Sequence, residues 1–198
     1  MPRKQEFFRK SGGLGAFIKN DIYSLFEVIE TQTDYLFWLK LPRKYTDIDD
    51  DILIGDVYVP PMQSRFYNDD SYELFENDIS DMCNKTPHLF LFGDFNAQTA
   101  EMPDYSVCDE YLADIFDYDA YTMQYFDQKY VMETFGITID RKSQDKKTNS
   151  QGYKLAELCK NNNLAVLNGR TGKDSGIGKM TFRNMSVIDY IVATLNGH

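Results

Sequence analysis

LFLFGDFNAQTA (residues 89–100) is the stretch on which the reading of the chain turns. Leu89 to Phe92 are apolar and predict a buried strand that Gly93 ends. On extended backbone, side chains two residues apart share a face. Asp94 and Asn96 are therefore expected to project together from the strand's end, with Phe95 turned the other way. Gly, Asp and Asn are also ordinary turn formers, so the tetrapeptide alone does not decide between a turn and a site.

The chain has 198 residues, enough for one domain with a sizeable core. Hydrophobic residues make up 42% and charged residues 26%, which fits a globular and not a disordered chain. No apolar run approaches the roughly 20 residues of a membrane span, and the start, MPRKQEFFRKSGG, lacks the apolar centre of a signal peptide. Cys83, Cys108 and Cys159 are scattered and odd in number, which suits reduced thiols better than a disulfide framework or a zinc site. An intracellular protein is expected. The net charge of −10 argues against a general nucleic-acid binder, since affinity for a polyanion comes mostly from Lys and Arg. It leaves room for an enzyme whose acids hold a metal against a phosphate.

Outward from residues 89–100, LGAFIK (14–19), YSLFEVIE (23–30) and YLFWLKL (35–41) predict three consecutive strands, and ILIGDVYVP (52–60) a fourth, stopped by Pro60-Pro61. Asp69 or Asp70 is expected to cap a helix from about Ser71 to Cys83, with Tyr72, Phe75, Ile79 and Met82 on its inner face. Residues 101–130 mix acidic and aromatic residues without a sustained period and read as a long insertion. Asn149 or Ser150 is expected to cap a helix over Gln151 to Asn162. LAVLN (164–168) predicts a strand, GRTGKDSGIGK (169–179) a Gly-rich loop, and MTFRN and SVIDYIVAT (186–194) two closing strands. Strands directly in sequence exclude a pure parallel βαβ repeat, and two mixed sheets with helices outside fit better. Neither an internal repeat nor an interdomain linker is visible.

SVIDYIVAT places Asp189 in the middle of an apolar strand. A carboxylate there is costly unless paired or metal-bound; an edge strand with Asp189 facing water is the alternative. Two strands that each deliver an acid, Asp94 and Asp189, are the parts expected at a divalent-metal phosphoester site. Mg²⁺ prefers oxygen ligands and keeps several waters. An amide such as Asn96 can donate to a phosphate oxygen while the neighbouring carboxylate handles the water.

GDFNA (93–97), VYVPP (57–61) and SVIDYI (186–191), in relation to TNSQGYKLAELCKNNNLAVLNGRTG (148–172), KMTFRNMSVIDYI and SGGLGAFIKNDI (11–22), resemble the endonuclease/exonuclease/phosphatase superfamily. Within it they are most similar to the endonuclease domains of non-LTR retrotransposons. The resemblance covers nearly the whole chain. It implies a deoxyribonuclease I-like α/β (α+β) fold, a four-layer sandwich of two mixed β-sheets flanked by helices. It implies Mg²⁺ as cofactor, with Mn²⁺ as a substitute, and DNA as partner, nicked to leave a free 3′-hydroxyl. Position by position, Asp94 resembles the acid that orients or activates the attacking water and is the metal-ligand candidate. Asn96 resembles the partner of the scissile phosphate, and Tyr58 the tyrosine that contacts phosphate beside the metal. By sequence alone Tyr58 also fits a core strand aromatic. Thr181 and Ser186 match polar, substrate-binding positions near the phosphate. Asp189 resembles the acid that hydrogen-bonds a catalytic histidine.

The departures carry as much weight. Members of the family place an Asn strand and a strand with the metal Glu ahead of the segment that SGGLGAFIK resembles, whereas ten residues precede Ser11 here and Glu6 stands too close to serve. They also carry a late Ser-Asp-His motif; the two histidines here are His88, ahead of the Asp94 strand, and the terminal His198. Residues 1–198 are therefore expected to form a single partial domain, incomplete at both ends, with little or no activity alone, because catalytic groups that act as a unit do not degrade additively. A non-catalytic remnant or binding module, or another phosphatase or phosphodiesterase of the superfamily, remain as alternatives.

Overall fold

The computed structural model describes residues 14–107 and 127–195. Glu6, Cys108, His198 and most of the acidic-aromatic insertion lie outside the described residues. Six strands form one mixed sheet: β1 (Glu27–Ile29), β2 (Leu36–Leu41), β3 (Ile52–Tyr58), β4 (His88–Asp94), β5 (Leu164–Val166) and β6 (Asp189–Thr194), in the spatial order β1-β2-β3-β4-β6-β5. Only β3 and β4 run parallel, and the helix α1 (Asp69–Cys83) joins them. The other helices are α2 (Gln128–Thr134) and α3 (Ser150–Asn161).

The α/β class and the mixed sheet follow the expectation from sequence. Among the described residues the strands build one sheet, and two expected strands are not formed. Residues 14–19 carry no regular structure, and Phe17 is fully exposed. Residues 23–25 form a 3₁₀ turn, which leaves β1 three residues long. MTFRN reduces to a single bridge between Phe182 and Ser186. Among the described residues none of these segments pairs with a neighbouring strand beyond that bridge, and a strand without a ladder has nothing to hold it extended.

Alternation along β3, β4 and β6 fixes which face is buried. Leu53, Val57, Leu89, Leu91, Tyr190 and Val192 point to one side and are buried there with Trp38 of β2. Gly55 makes that packing possible, since a Cβ there would lie 2.8 Å from Trp38 and 2.7 Å from Leu91. Helices α1 and α3 cover this face through Tyr72, Phe75, Ile79 and Met82 and through Leu155, Leu158 and Cys159. Both helices are capped by asparagine. Asn68, not Asp69 or Asp70, accepts from Ser71 N at 2.6 Å, and the two aspartates occupy the first turn, where the helix dipole favours them. Asn149 caps α3 as expected. Cys83 and Cys159 are free thiols, and burial pushes the Cys83 thiol up to about 12, which keeps it protonated and inert.

The opposite face is covered near β5, where Met132 of α2 packs with Ala165 and Leu195. Elsewhere it is largely open among the described residues: Val28 is 64%, Phe92 39% and Ile191 47% exposed, although Leu39 is buried there. Among the described residues no helix is long and apolar enough to cross a membrane.

Of the two strand glycines, Gly55 and Gly93, Gly93 has the less room for a side chain. Its φ is +143° and a Cβ would lie 2.0 Å from Val57 O. Gly93→Ala is expected to lower stability in urea unfolding by at least about 2 kcal/mol, since overpacking alone costs roughly 1–3 kcal/mol. Gly15→Ala, where a Cβ meets nothing within 4 Å, is the matched control and should leave the midpoint unchanged.

Candidate functional site

Strand register brings the sequence-predicted residues into one line. Tyr58 is paired with Asp94 across β3 and β4, and Asp94 with Asp189 across β4 and β6. Paired residues in a ladder share a face. The three side chains therefore form a row across adjacent strands, at the C-terminal ends of β3 and β4, on the open face of the sheet. Main-chain bonds extend the row beyond the strands: Val59 N donates to Asp94 O at 2.9 Å and Phe95 N to Ile188 O at 3.0 Å.

Asn96 reaches the site by a different route from the one its spacing suggested. The chain leaves the strand immediately after Asp94. Asp94 Oδ1 accepts from Asn96 N at 2.8 Å, an Asx turn, and Asn96 has φ +47°, a conformation that asparagine tolerates. Strand alternation does not apply beyond that turn. The Asn96 amide nitrogen donates to Val59 O at 2.9 Å, which anchors the side chain beside the end of β3. Phe95 does turn the other way, into the core.

Asn149 fixes this turn from outside it. Its Nδ2 donates to Asn96 O at 2.9 Å, while its Oδ1 accepts from Gln98 N at 2.9 Å and from Gly152 N at 2.7 Å. One side chain thus caps α3 and holds the loop that carries Asn96. Gly152 is required there, because a Cβ would lie 1.9 Å from Gln98 O.

Asp189 is the first residue of β6, not its middle, and it is half-buried. Its strand lies between β4 and β5 and is no edge. Thr181 Oγ1 accepts from Ile188 N at 3.0 Å and from Asp189 N at 3.1 Å. Asn168 grips the same strand, donating from Nδ2 to Asp189 O at 3.1 Å and accepting from Ile191 N at 2.8 Å. Tyr58 is 39% exposed, so it is no core aromatic. Ser186 is buried, and its carbonyl accepts from Thr181 N at 2.9 Å; it shapes the turn ahead of β6. His88 opens β4, at the opposite end of the strand from Asp94.

Burial raises the Asp94 carboxyl above its ordinary value; the Asn96 N–H opposes this, and the nearby Asp189 carboxylate adds to the rise. Among the described residues neither acid has an ion-pair partner. Two facing carboxylates without a counter-charge are a donor set that suits a hard cation, and Mg²⁺ is commonly held by one or two carboxylates plus water. Among the described residues no third His, Cys, Asp or Glu joins them.

No family model and no curated protein sequence matches the chain. Among solved structures, the chain is similar to the endonuclease domain of TRAS1, a telomere-specific non-LTR retrotransposon, with 15% identity and a TM-score of 0.44 over 85% of this chain. The chain spans 54% of that domain's length. Neither the identity nor the TM-score supports an argument from that protein to this one.

Asn149 and Asn168 were not singled out as site residues from the sequence. Asn149 is legible only as a helix cap. Asn168 ends the apolar run LAVL as Asp94 ends LFLFG, a polar residue at a strand end, and that signal was available.

Two measurements follow from these contacts. The raised Asp94 value means that folding favours its protonated form. Its contribution to stability is present in acid and is lost as pH rises through that raised value. Asp94→Asn is therefore expected to raise Tm at neutral pH, with a gain that vanishes as pH falls below the carboxylate range. Asn149→Ala should cost about 2 kcal/mol in chemical unfolding, more than a surface cap alone, because it also strips partners from Asn96 and Gln98.

Proposed function

We propose that this chain carries a Mg²⁺-dependent phosphodiester-cleaving site of the endonuclease type, with DNA as its substrate and low activity for the chain by itself. The row Tyr58–Asp94–Asp189 carries this reading, and the sequence resemblance, which implies phosphate-contacting roles for Asn96 and Thr181, supports it. Asp94, with Asp189 alongside, would hold the cation, and Mn²⁺ would substitute. Bound there, the metal would offset charge on the phosphoryl oxygens and lower the pKa of a coordinated water.

The residues around the row supply the rest. An amide nitrogen has two hydrogens, and Asn96 spends one on Val59 O, which leaves the other for a phosphate oxygen. Both acceptor positions of Thr181 Oγ1 are taken by backbone N–H groups, so its hydroxyl hydrogen is what it can offer a ligand. Tyr58 presents a phenol on the open face. Asp189 adds negative charge that keeps Asp94 a strong acceptor for a water proton. Among the described residues no histidine stands in the row to protonate a leaving oxygen, and this is the reason for expecting slow turnover.

A non-catalytic binding module is the second reading, favoured by the net charge of −10 and by the two-carboxylate donor set. Supercoiled plasmid with Mg²⁺ or Mn²⁺, run beside EDTA and Asp94→Ala controls, separates the two. The expected result is slow nicking that both controls abolish, with a Mg²⁺-induced rise in Tm that Asp94→Ala removes. A folded protein showing neither effect would hand the case to the binding module. Cleavage of a simple phosphodiester without nicking of DNA would point to another phosphodiesterase chemistry.

A further inference from the structure

A second polar site lies away from the row. An open cavity of about 220 Å³ is lined in part by Glu101, Asp140, Arg141, Lys142 and Arg170. Water occupies ~30 Å³ per molecule in the liquid, so the cavity has room for several waters or for one phosphate group.

Its two buried arginines are used in opposite ways. A guanidinium has five N–H donors. Arg170 commits all of them. Its Nη1 and Nη2 meet the Asp104 carboxylate, each at 2.7 Å, and its remaining donors go to Val166 O, Thr138 O and Ile139 O. It is a structural clamp whose charge Asp104 cancels. Arg141 is only 4% exposed, yet its hydrogen bonds both leave from Nη2, to Thr99 Oγ1 at 2.8 Å and Met102 O at 3.3 Å. Among the described residues its Nε has no partner and it makes no ion pair. Arginine cannot shed its proton to relieve this, and a buried charge left short of partners is costly.

The remaining charges of the cavity leave a positive balance. Lys146 neutralises Glu101 at 2.9 Å, and Asp104 neutralises Arg170. Asp140 is exposed, and so is Lys142, which has no ion pair among the described residues. The backbone that presents Arg141 and Lys142 is rigidly seated. Gly169 and Gly178 of the Gly-rich loop both press on it, and a Cβ on either would lie 2.0 Å from Lys142 O. That loop thus serves as a cradle for residues 141–143.

We infer that this cavity is an oxyanion site that takes a phosphate group, with Arg141 as its buried donor and Lys142 as its exposed one. The ligand chemistry is a tetrahedral oxyanion, either free phosphate or the phosphate of a nucleotide. The site stands on its own residues and does not depend on the Asp94 row.

The test is isothermal titration calorimetry of the full chain in EDTA and low salt. The arms are inorganic phosphate and a 5′-phosphorylated dinucleotide, set against the same dinucleotide without the 5′-phosphate. Saturable binding of one phosphate per chain is expected, weakened about tenfold by Lys142→Gln and more by Arg141→Gln, in line with the loss of a charge-assisted hydrogen bond. Asp94→Asn should bind as the parent does, which separates this site from the proposed metal site. Tighter binding of the 5′-phosphorylated dinucleotide than of inorganic phosphate would assign a nucleotide source, and equal binding a free phosphate. Lys142 is exposed, so its variant keeps the test valid if Arg141→Gln does not fold. The absence of saturable heat with either phosphate, or binding that Lys142→Gln leaves unchanged, would overturn the assignment.

Discussion

The one-sided burial of the sheet is the constraint on which the rest depends. Leu53 and Val57, Leu89 and Leu91, and Tyr190 and Val192 all need the same face, because α1 and α3 cover that face and no other. The side-chain period of a strand is two, so a slip by one residue would turn these side chains away from α1 and α3 to the other, largely uncovered face. Register is therefore set by hydrophobic burial. The placement of Tyr58, Asp94 and Asp189 in one row follows from it without any attraction among the three, two of which repel each other. A chain of aromatic contacts, from Tyr72 to Phe75, Phe95 and Tyr190, runs under this row. Phe95 and Tyr190, the immediate sequence neighbours of the two acids, face the core and pin the backbone on the far side.

A second layer of control is polar. The turn after Asp94 is held by Asn149, the start of β6 by Thr181 and Asn168, and the link between the two regions by Asp145. The Asp145 carboxylate accepts from Gln98 Nε2 and Val187 N, each at 3.1 Å. Thr99 and Tyr190 add a buried bond between their hydroxyls at 3.1 Å. Loops that carry chemistry are seldom stiff in their own right; here each is tied at several points to an element that is.

How much of this was legible in the sequence varies with the range of the interaction. The β2, β3 and β4 strands and both long helices were readable, since their apolar periods are local and strong. Asp94 and Asp189 were readable as acids set in apolar strands. Residues 14–19 look like a strand by composition, but composition does not reveal whether a neighbour exists to pair with. Asn96 defeated the alternation rule because its own neighbour's carboxylate bends the chain. The dual role of Asn149 was hidden, because capping is a local pattern whereas its bonds to Asn96 and Gln98 span about fifty residues. Asp104, within the segment that reads as a long acidic-aromatic insertion, is buried against Arg170, a pairing that only the tertiary fold supplies.

The strand order has a consequence for how the chain reaches its folded form. β6 is the last described strand in sequence, yet it sits between β4 and β5, which do not touch each other. Neither of those strands can be fully hydrogen-bonded until β6 arrives, and β4 pairs with a segment some hundred residues further along. Such non-local pairing is slow, because the loop entropy is lost before the contacts compensate for it. On a ribosome, the helices and the β2-β3-β4 portion can form while the slot for β6 stands open, with backbone donors and acceptors of β4 exposed. The two acids meet only when that slot closes, so the row assembles with the last of the described strands, and whatever chemistry it performs waits on that step.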